Sequence, residues 1–85
     1  MISKDMTVNI PNGLGGRPVA LLVQVASRYD SSVYVQCDNK KVNAKSIMGM
    51  MSLALPTGAA VTVTVNGADE EAAMKDIEAY LSGEQ

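Results

Sequence analysis

The sequence predicts an α+β domain whose elements run β-α-β-β-α-β-α. Three observations carry this prediction. Val61, Val63 and Val65 alternate with Thr62 and Thr64, the period of a strand with one buried face. Two stretches, about 17–29 and 69–81, repeat apolar residues at three- and four-residue spacing, the period of a helix with one buried stripe. Asp38-Asn39, a pair able to take positive φ, separates two short strand-like runs in the manner of a hairpin turn. At 85 residues the chain reads as one domain, 1–85, near the size at which a single core suffices.

Taken in order, Met6, Val8 and Ile10 alternate with Asp5, Thr7 and Asn9 and predict the first strand, which Pro11-Asn12-Gly13 ends. The first helix is expected from about Arg17 to Tyr29. Pro18 suits its first turn, where a missing amide costs nothing. Leu21, Leu22, Val25 and Tyr29 form its expected buried stripe, with Gln24, Ser27 and Arg28 facing out. Val33, Val35 and Cys37 are the inward positions of the second strand, and Lys41-Val42-Asn43-Ala44 returns beside it. A short helix is expected over 47–55, and Pro56-Thr57-Gly58 turns the chain into the central strand at Val61–Val65. Asp69 can cap the last helix, with Glu70 and Glu71 in its first turn, where negative charge is favoured. Its buried stripe is Ala73, Met74, Ile77, Tyr80 and Leu81. Glu71 and Lys75 are spaced as a surface pair, and Ser82-Gly83 ends the helix.

Composition excludes more than it assigns. A net charge of −2 gives no electrostatic footprint for nucleic acid or an anionic membrane, and three tyrosines without a basic stripe make no base-stacking platform. No apolar run is long enough to cross a bilayer, and Met1-Ile2-Ser3-Lys4-Asp5 is not built like a signal peptide, so a cytoplasmic protein is expected. Cys37 is the single cysteine, which rules out an internal disulfide framework, and on a strand's inward face it reads as a small core residue. The chain has no histidine, the commonest general base and metal ligand. No cofactor or metal site is expected, and nothing gathers the remaining carboxylates into a catalytic pair. An enzyme built on Cys37 would need a reactive thiol, which an inward strand position disfavours.

The most informative stretch is Lys45-Ser46-Ile47-Met48-Gly49-Met50-Met51-Ser52-Leu53. Ser46 is a favoured N-cap, yet the helix behind it has no polar face. A domain this small cannot surround such a helix, so part of it must meet water, and an exposed apolar patch marks a docking site. Methionine suits that use because its flexible thioether adapts to different surfaces. Capping alone explains the serine but not the exposed methionines. A second feature is Gly13-Leu14-Gly15-Gly16-Arg17-Pro18 before the first helix. Free amides from Gly15 to Arg17, the helix dipole and the guanidinium could receive an anion. On these residues alone ordinary loop chemistry is the simpler reading, because the spacing is no dinucleotide or P-loop fingerprint.

The element order, Arg17-Pro18 opening the first helix and Lys45-Ser46-Ile47-Met48-Gly49 opening the second resemble HPr, the small phosphocarrier family of the bacterial sugar phosphotransferase system. Leu21-Leu22-Val23-Gln24, Ala26-Ser27, Tyr29-Asp30, Val42-Asn43 and Gly67-Ala68-Asp69-Glu70 extend the likeness over almost the whole chain. The resemblance implies an open-faced β-sandwich, a four-stranded antiparallel sheet covered on one face by three helices. HPr carries its phosphoryl group on a histidine two residues before the arginine. That position is Gly15 here, and Gly16 replaces what is typically alanine. Phosphate relay from Enzyme I to sugar permeases therefore cannot run through this site. The sequence is similar instead to the histidine-less regulatory branch, the Crh-like proteins. That branch implies phosphorylation of Ser46 by HPr kinase/phosphorylase and binding to a LacI-type regulator, catabolite control protein A, as corepressor. The implied partner surface is Gly15, Gly16, Arg17, Lys45, Ile47, Met48 and Met51. A second expectation is a binding module that engages Enzyme I or permease domains through the Gly15–Arg17 face and does not need Ser46.

Overall fold

A computed structural model describes residues 1–10, 17–53 and 55–83. The order is β1 (Ile2–Thr7), α1 (Arg17–Ser27), β2 (Ser32–Cys37), β3 (Lys40–Asn43), α2 (Ile47–Met51), β4 (Ala60–Asn66) and α3 (Glu70–Leu81). The four strands form one antiparallel sheet in the order β1-β4-β2-β3, so the Val/Thr strand is central, as its alternation predicts. Val61, Val63 and Val65 of β4 and Val33 and Val35 of β2 are buried on one face. They form a single core with Val19, Leu22 and Ala26 of α1, Met50 of α2, and Ala73, Met74, Ile77, Tyr80 and Leu81 of α3. The other face carries Ser3, Asp5, Thr62, Thr64, Tyr34 and Gln36 and stays polar. There Thr62 donates to Asp5 Oδ1 at 2.7 Å, and Ser3 and Thr64 share a hydroxyl pair at 3.1 Å. The fold is the open, one-sided sandwich.

The first strand lies earlier than the alternating run 5–10 suggests. Its ladder with β4 runs from Ile2↔Val65 to Thr7↔Ala60 and ends where β4 begins. Val8 still exchanges backbone bonds with Ala59 and Gly58 (2.9 and 2.7 Å), but the amide of Asn9 turns to Leu81 O at 2.8 Å. Val8 and Ile10 are therefore buried without being strand residues. The turn expected at Pro11-Asn12-Gly13 lies outside the described residues.

Four further expectations are corrected. The α1 stripe is rotated: Val19, Leu22 and Ala26 are fully buried, Val25 is half-buried and Leu21 is 39% exposed. The helix also ends two residues early. Arg28 and Tyr29 make tighter bonds to Val25 and Ala26 that close its last turn (3.2 and 3.4 Å). Asp69 occupies the N-cap position of α3 without capping it, because its carboxylate accepts from the backbone of Asp30 and Ser31 and from the Ser31 hydroxyl. Among the described residues no ion pair joins Glu71 to Lys75. Lys4 pairs instead with Glu78 at 2.6 Å, and the Met1 amine with Glu70 at 3.0 Å, each tying β1 to α3. The hairpin is as expected, with Asp38 at φ 56° and Cys37 opposite Lys40. Cys37 packs against the core but is only half-buried.

Candidate functional site at the start of the second helix

The turn from β3 into α2 is held by local bonds that the sequence encodes. Asn43 Oδ1 accepts from the Lys45 amide at 2.9 Å, and Asn43 O accepts from the Ser46 amide at 3.0 Å. An asparagine two residues before Lys45 is a turn former of this type, and it was the available signal for a residue that helps place Ser46. Ser46 has extended backbone dihedrals (φ −103°, ψ 114°), and its Oγ accepts from the Gly49 amide at 3.2 Å. It is therefore a true N-cap, and its hydroxyl lies at the surface.

The helix behind it is five residues long, not the nine expected over 47–55. Ser52 ends it: its hydroxyl donates to Gly49 O at 2.6 Å, while the amides of Ser52 and Leu53 make tighter bonds to Gly49 and Met50. Lys40 Nζ reaches Ser52 O at 3.0 Å. Met50 is 1% exposed and anchors the turn in the core. Ile47, Met48 and Met51 are 46, 81 and 59% exposed and lie beside the serine as an apolar patch. The expected exposure of this helix is thus met by these three residues, whereas Ala54 lies outside the described residues.

Lys45 is placed differently from a free basic contact. It is half-buried, and its ammonium donates to Tyr29 O at 2.6 Å, just past the end of α1. Tyr29 is held in turn from α3, where its hydroxyl donates to Asp76, and Arg28 lies 3.9 Å from the same carboxylate. The hydrogen bond to Asp76 is the main reason the Tyr29 hydroxyl titrates above its usual value, with partial desolvation adding to it. Arg17 is exposed at the first position of α1 and has no hydrogen-bond or ion-pair partner among the described residues. Tyr80 fixes that turn from within, donating to Pro18 O at 2.8 Å. Gly15 and Gly16 lie outside the described residues, so the proposed anion site before α1 has no described geometry beyond Arg17. A polar hollow lined by Asp5, Gln36, Asp38 and Thr62 includes none of these residues. Among the described residues no cluster of three Cys, Asp or Glu is placed to hold a metal ion, and no helix is long and apolar enough to cross a membrane.

The chain is similar to known proteins over nearly its whole length. The family model described as the PTS HPr component phosphorylation site matches residues 2–82. The HPr-like protein Crh of Bacillus subtilis (strain 168) is 48% identical over 84 residues, 99% of each chain. The crystal structure of the phosphocarrier protein HPr from Bacillus anthracis str. Ames is similar, with a TM-score of 0.91 and 46% identity, covering 94% of this chain and 95% of that one. The Bacillus subtilis Crh crystal structure, described as a domain-swapped dimer, matches with a TM-score of 0.80 and 47% identity over 100% of this chain and 98% of that one.

Proposed function

Because the chain belongs to the HPr family and carries glycine at the position of the carrier histidine, we propose that it is a regulatory phosphoprotein of the Crh type, modified on Ser46. It is a binding protein whose surface is switched by phosphate, not an enzyme and not a carrier. Gly15 offers no atom to accept a phosphoryl group from Enzyme I. Ser46 is modified by HPr kinase/phosphorylase at the expense of ATP, and the product binds a LacI-type catabolite control protein as corepressor. ATP, kinase and regulator place this work in the cytoplasm.

The observation that carries the reading is the exposed Ser46 hydroxyl directly beside the exposed Ile47, Met48 and Met51. Phosphorylation adds roughly −1.5 to −2 charges there without requiring a new fold. An apolar patch then borders a dianion, and an arginine of the partner can hold that dianion bidentately while the methionines adapt to the partner's apolar surface. In the unmodified protein the Lys45 ammonium is engaged by Tyr29 O.

Calorimetric titration of the regulator with phosphorylated protein, unmodified protein and Ser46→Ala tests the switch. The phosphorylated form should bind at least about tenfold tighter, as a charge-assisted pair at an interface warrants. Equal affinity of all three would overturn it. The second reading, docking on Enzyme I or a permease domain, draws on the exposed Arg17, which has no partner among the described residues. It predicts binding that Arg17→Ala weakens and Ser46→Ala leaves intact.

A further inference from the structure

Glycine is a poor choice for the middle of a five-residue helix, and Gly49 adopts helical dihedrals open to any residue. Space explains it. A Cβ at this position would lie 3.3 Å from Ser46 Oγ, 3.5 Å from Ser46 Cβ and 3.6 Å from Val42 Cβ. The last two are ordinary contacts, whereas the first is tight enough that the hydroxyl must give by a few tenths of an ångström. Gly49 cannot back away easily, because its amide donates to Ser46 Oγ and its carbonyl accepts from the Ser52 hydroxyl.

We propose, resting on the reading of Ser46 as the phosphorylation site, that Gly49 is a positioning residue for that reaction. Its bare Cα keeps one side of the serine hydroxyl clear while its amide holds that hydroxyl in place. In the transfer, Ser46 Oγ forms a bond to the γ-phosphorus of ATP as the bond from that phosphorus to the β,γ-bridging oxygen breaks. ADP leaves with the electron pair, and the hydroxyl proton passes to a base of the kinase. Three phosphoryl oxygens then occupy space around Oγ. A methyl group at position 49 crowds that space and shifts the hydroxyl by a few tenths of an ångström. The nucleophile is then misplaced, whereas the patch of Ile47, Met48 and Met51 through which the kinase would dock is unaltered.

The test is steady-state phosphorylation by HPr kinase/phosphorylase and ATP, read by intact mass, with wild type, Gly49→Ala, Val42→Ala/Gly49→Ala and Met48→Ala compared. Gly49→Ala should lower kcat about tenfold or more with KM nearly unchanged, the mark of an interaction made in the transition state. Its melting temperature should stay within about 3 °C of wild type, since better helix propensity offsets a weakened cap. The double variant trims the Val42 methyl groups beside position 49 but leaves the contact with Ser46, and should remain slow. Met48→Ala should show the opposite split, a raised KM with kcat retained. Wild-type kcat in Gly49→Ala, recovery in the double variant, or a loss that simply tracks unfolding would each overturn the assignment. If wild type accepts no phosphate, the Ser46 reading fails and the assignment fails with it. A modified wild type with an equally fast Gly49→Ala defeats the assignment alone.

Discussion

Asp69 turns its carboxylate away from the helix it precedes and binds the segment that leads into the neighbouring strand β2, at Asp30 and Ser31. Donation from the Ser31 hydroxyl, then from the Asp30 amide, holds its pKa below the ordinary 3.8. The sign follows from proton binding. The unfolded carboxyl takes a proton before the folded one does, so this contribution is full above 3.8 and is lost as pH falls through the depressed folded value. Asp69→Asn should lower the melting temperature at pH 7 by roughly 3–8 °C and flatten the acid limb of stability against pH, measured by thermal melts from pH 7 to 2. A curve parallel to wild type would refute this origin. Gly67 belongs to the same contact, since a Cβ there would lie 2.6 Å from Ser31 Cα. None of this was legible locally. Asp before Glu-Glu reads as a helix cap, and only the tertiary approach of residue 31 supplies the stronger donors. Ser46 is the opposite case: type, spacing and geometry agree. Ser46→Ala should cost about 1 kcal/mol of stability by equilibrium denaturation, the usual value of a lost N-cap.

The second helix divides its methionines between two tasks, and substitutions should separate them. Met50 is sealed in the core, so Met50→Ala should cost about 2–5 kcal/mol by urea unfolding. Met48 and Met51 are exposed, so their alanine variants should stay within about 0.5 kcal/mol of wild type while weakening partner binding. Equal losses at positions 48 and 50 would contradict the division. The sequence announced an apolar helix too exposed for its surroundings but not which methionine would be inside, because a two-turn stretch apolar all round has no moment to orient it. The first helix shows the same limit in milder form. Leu21, Leu22 and Val25 fit a 3.6-residue stripe as well as Val19, Leu22 and Ala26 do, and packing against α2 and α3 decides for the smaller set. The last helix, with charged residues between its apolar positions, leaves no such choice, and all five of its expected core residues are buried.

Across the whole molecule, alternation and spacing yield the elements and their order, whereas the strand order β1-β4-β2-β3 is a long-range property that the local pattern does not contain. Only the central place of the Val61–Val65 strand was expected, from its alternation, and the resemblance added that the four strands form one antiparallel sheet. Several long-range ties reach α3 or its N-cap residue: Lys4 to Glu78, the Met1 amine to Glu70, Asp30 and Ser31 to Asp69, and Tyr29 to Asp76. The Tyr29 bond adds an alkaline limit. Its pKa is raised by the bond to Asp76, so its contribution is present below the ordinary value near 10 and is lost as pH rises through the higher folded value. Tyr29→Phe should remove that high-pH decline in thermal melts between pH 8 and 11, and an unchanged decline would place its origin elsewhere. The same bond lies one step from the Ser46 turn, because Tyr29 O holds Lys45 beside Ser46.

The central claim is that this HPr fold has exchanged phosphate carriage for regulation through one serine. Intact mass spectrometry after incubation with ATP and HPr kinase/phosphorylase, beside Ser46→Ala and a parallel reaction with phosphoenolpyruvate and Enzyme I, tests it most directly. The account predicts a single added phosphate from ATP, none on Ser46→Ala, and none from phosphoenolpyruvate. An unmodified mass with ATP, or a phosphate gained from phosphoenolpyruvate, would contradict it.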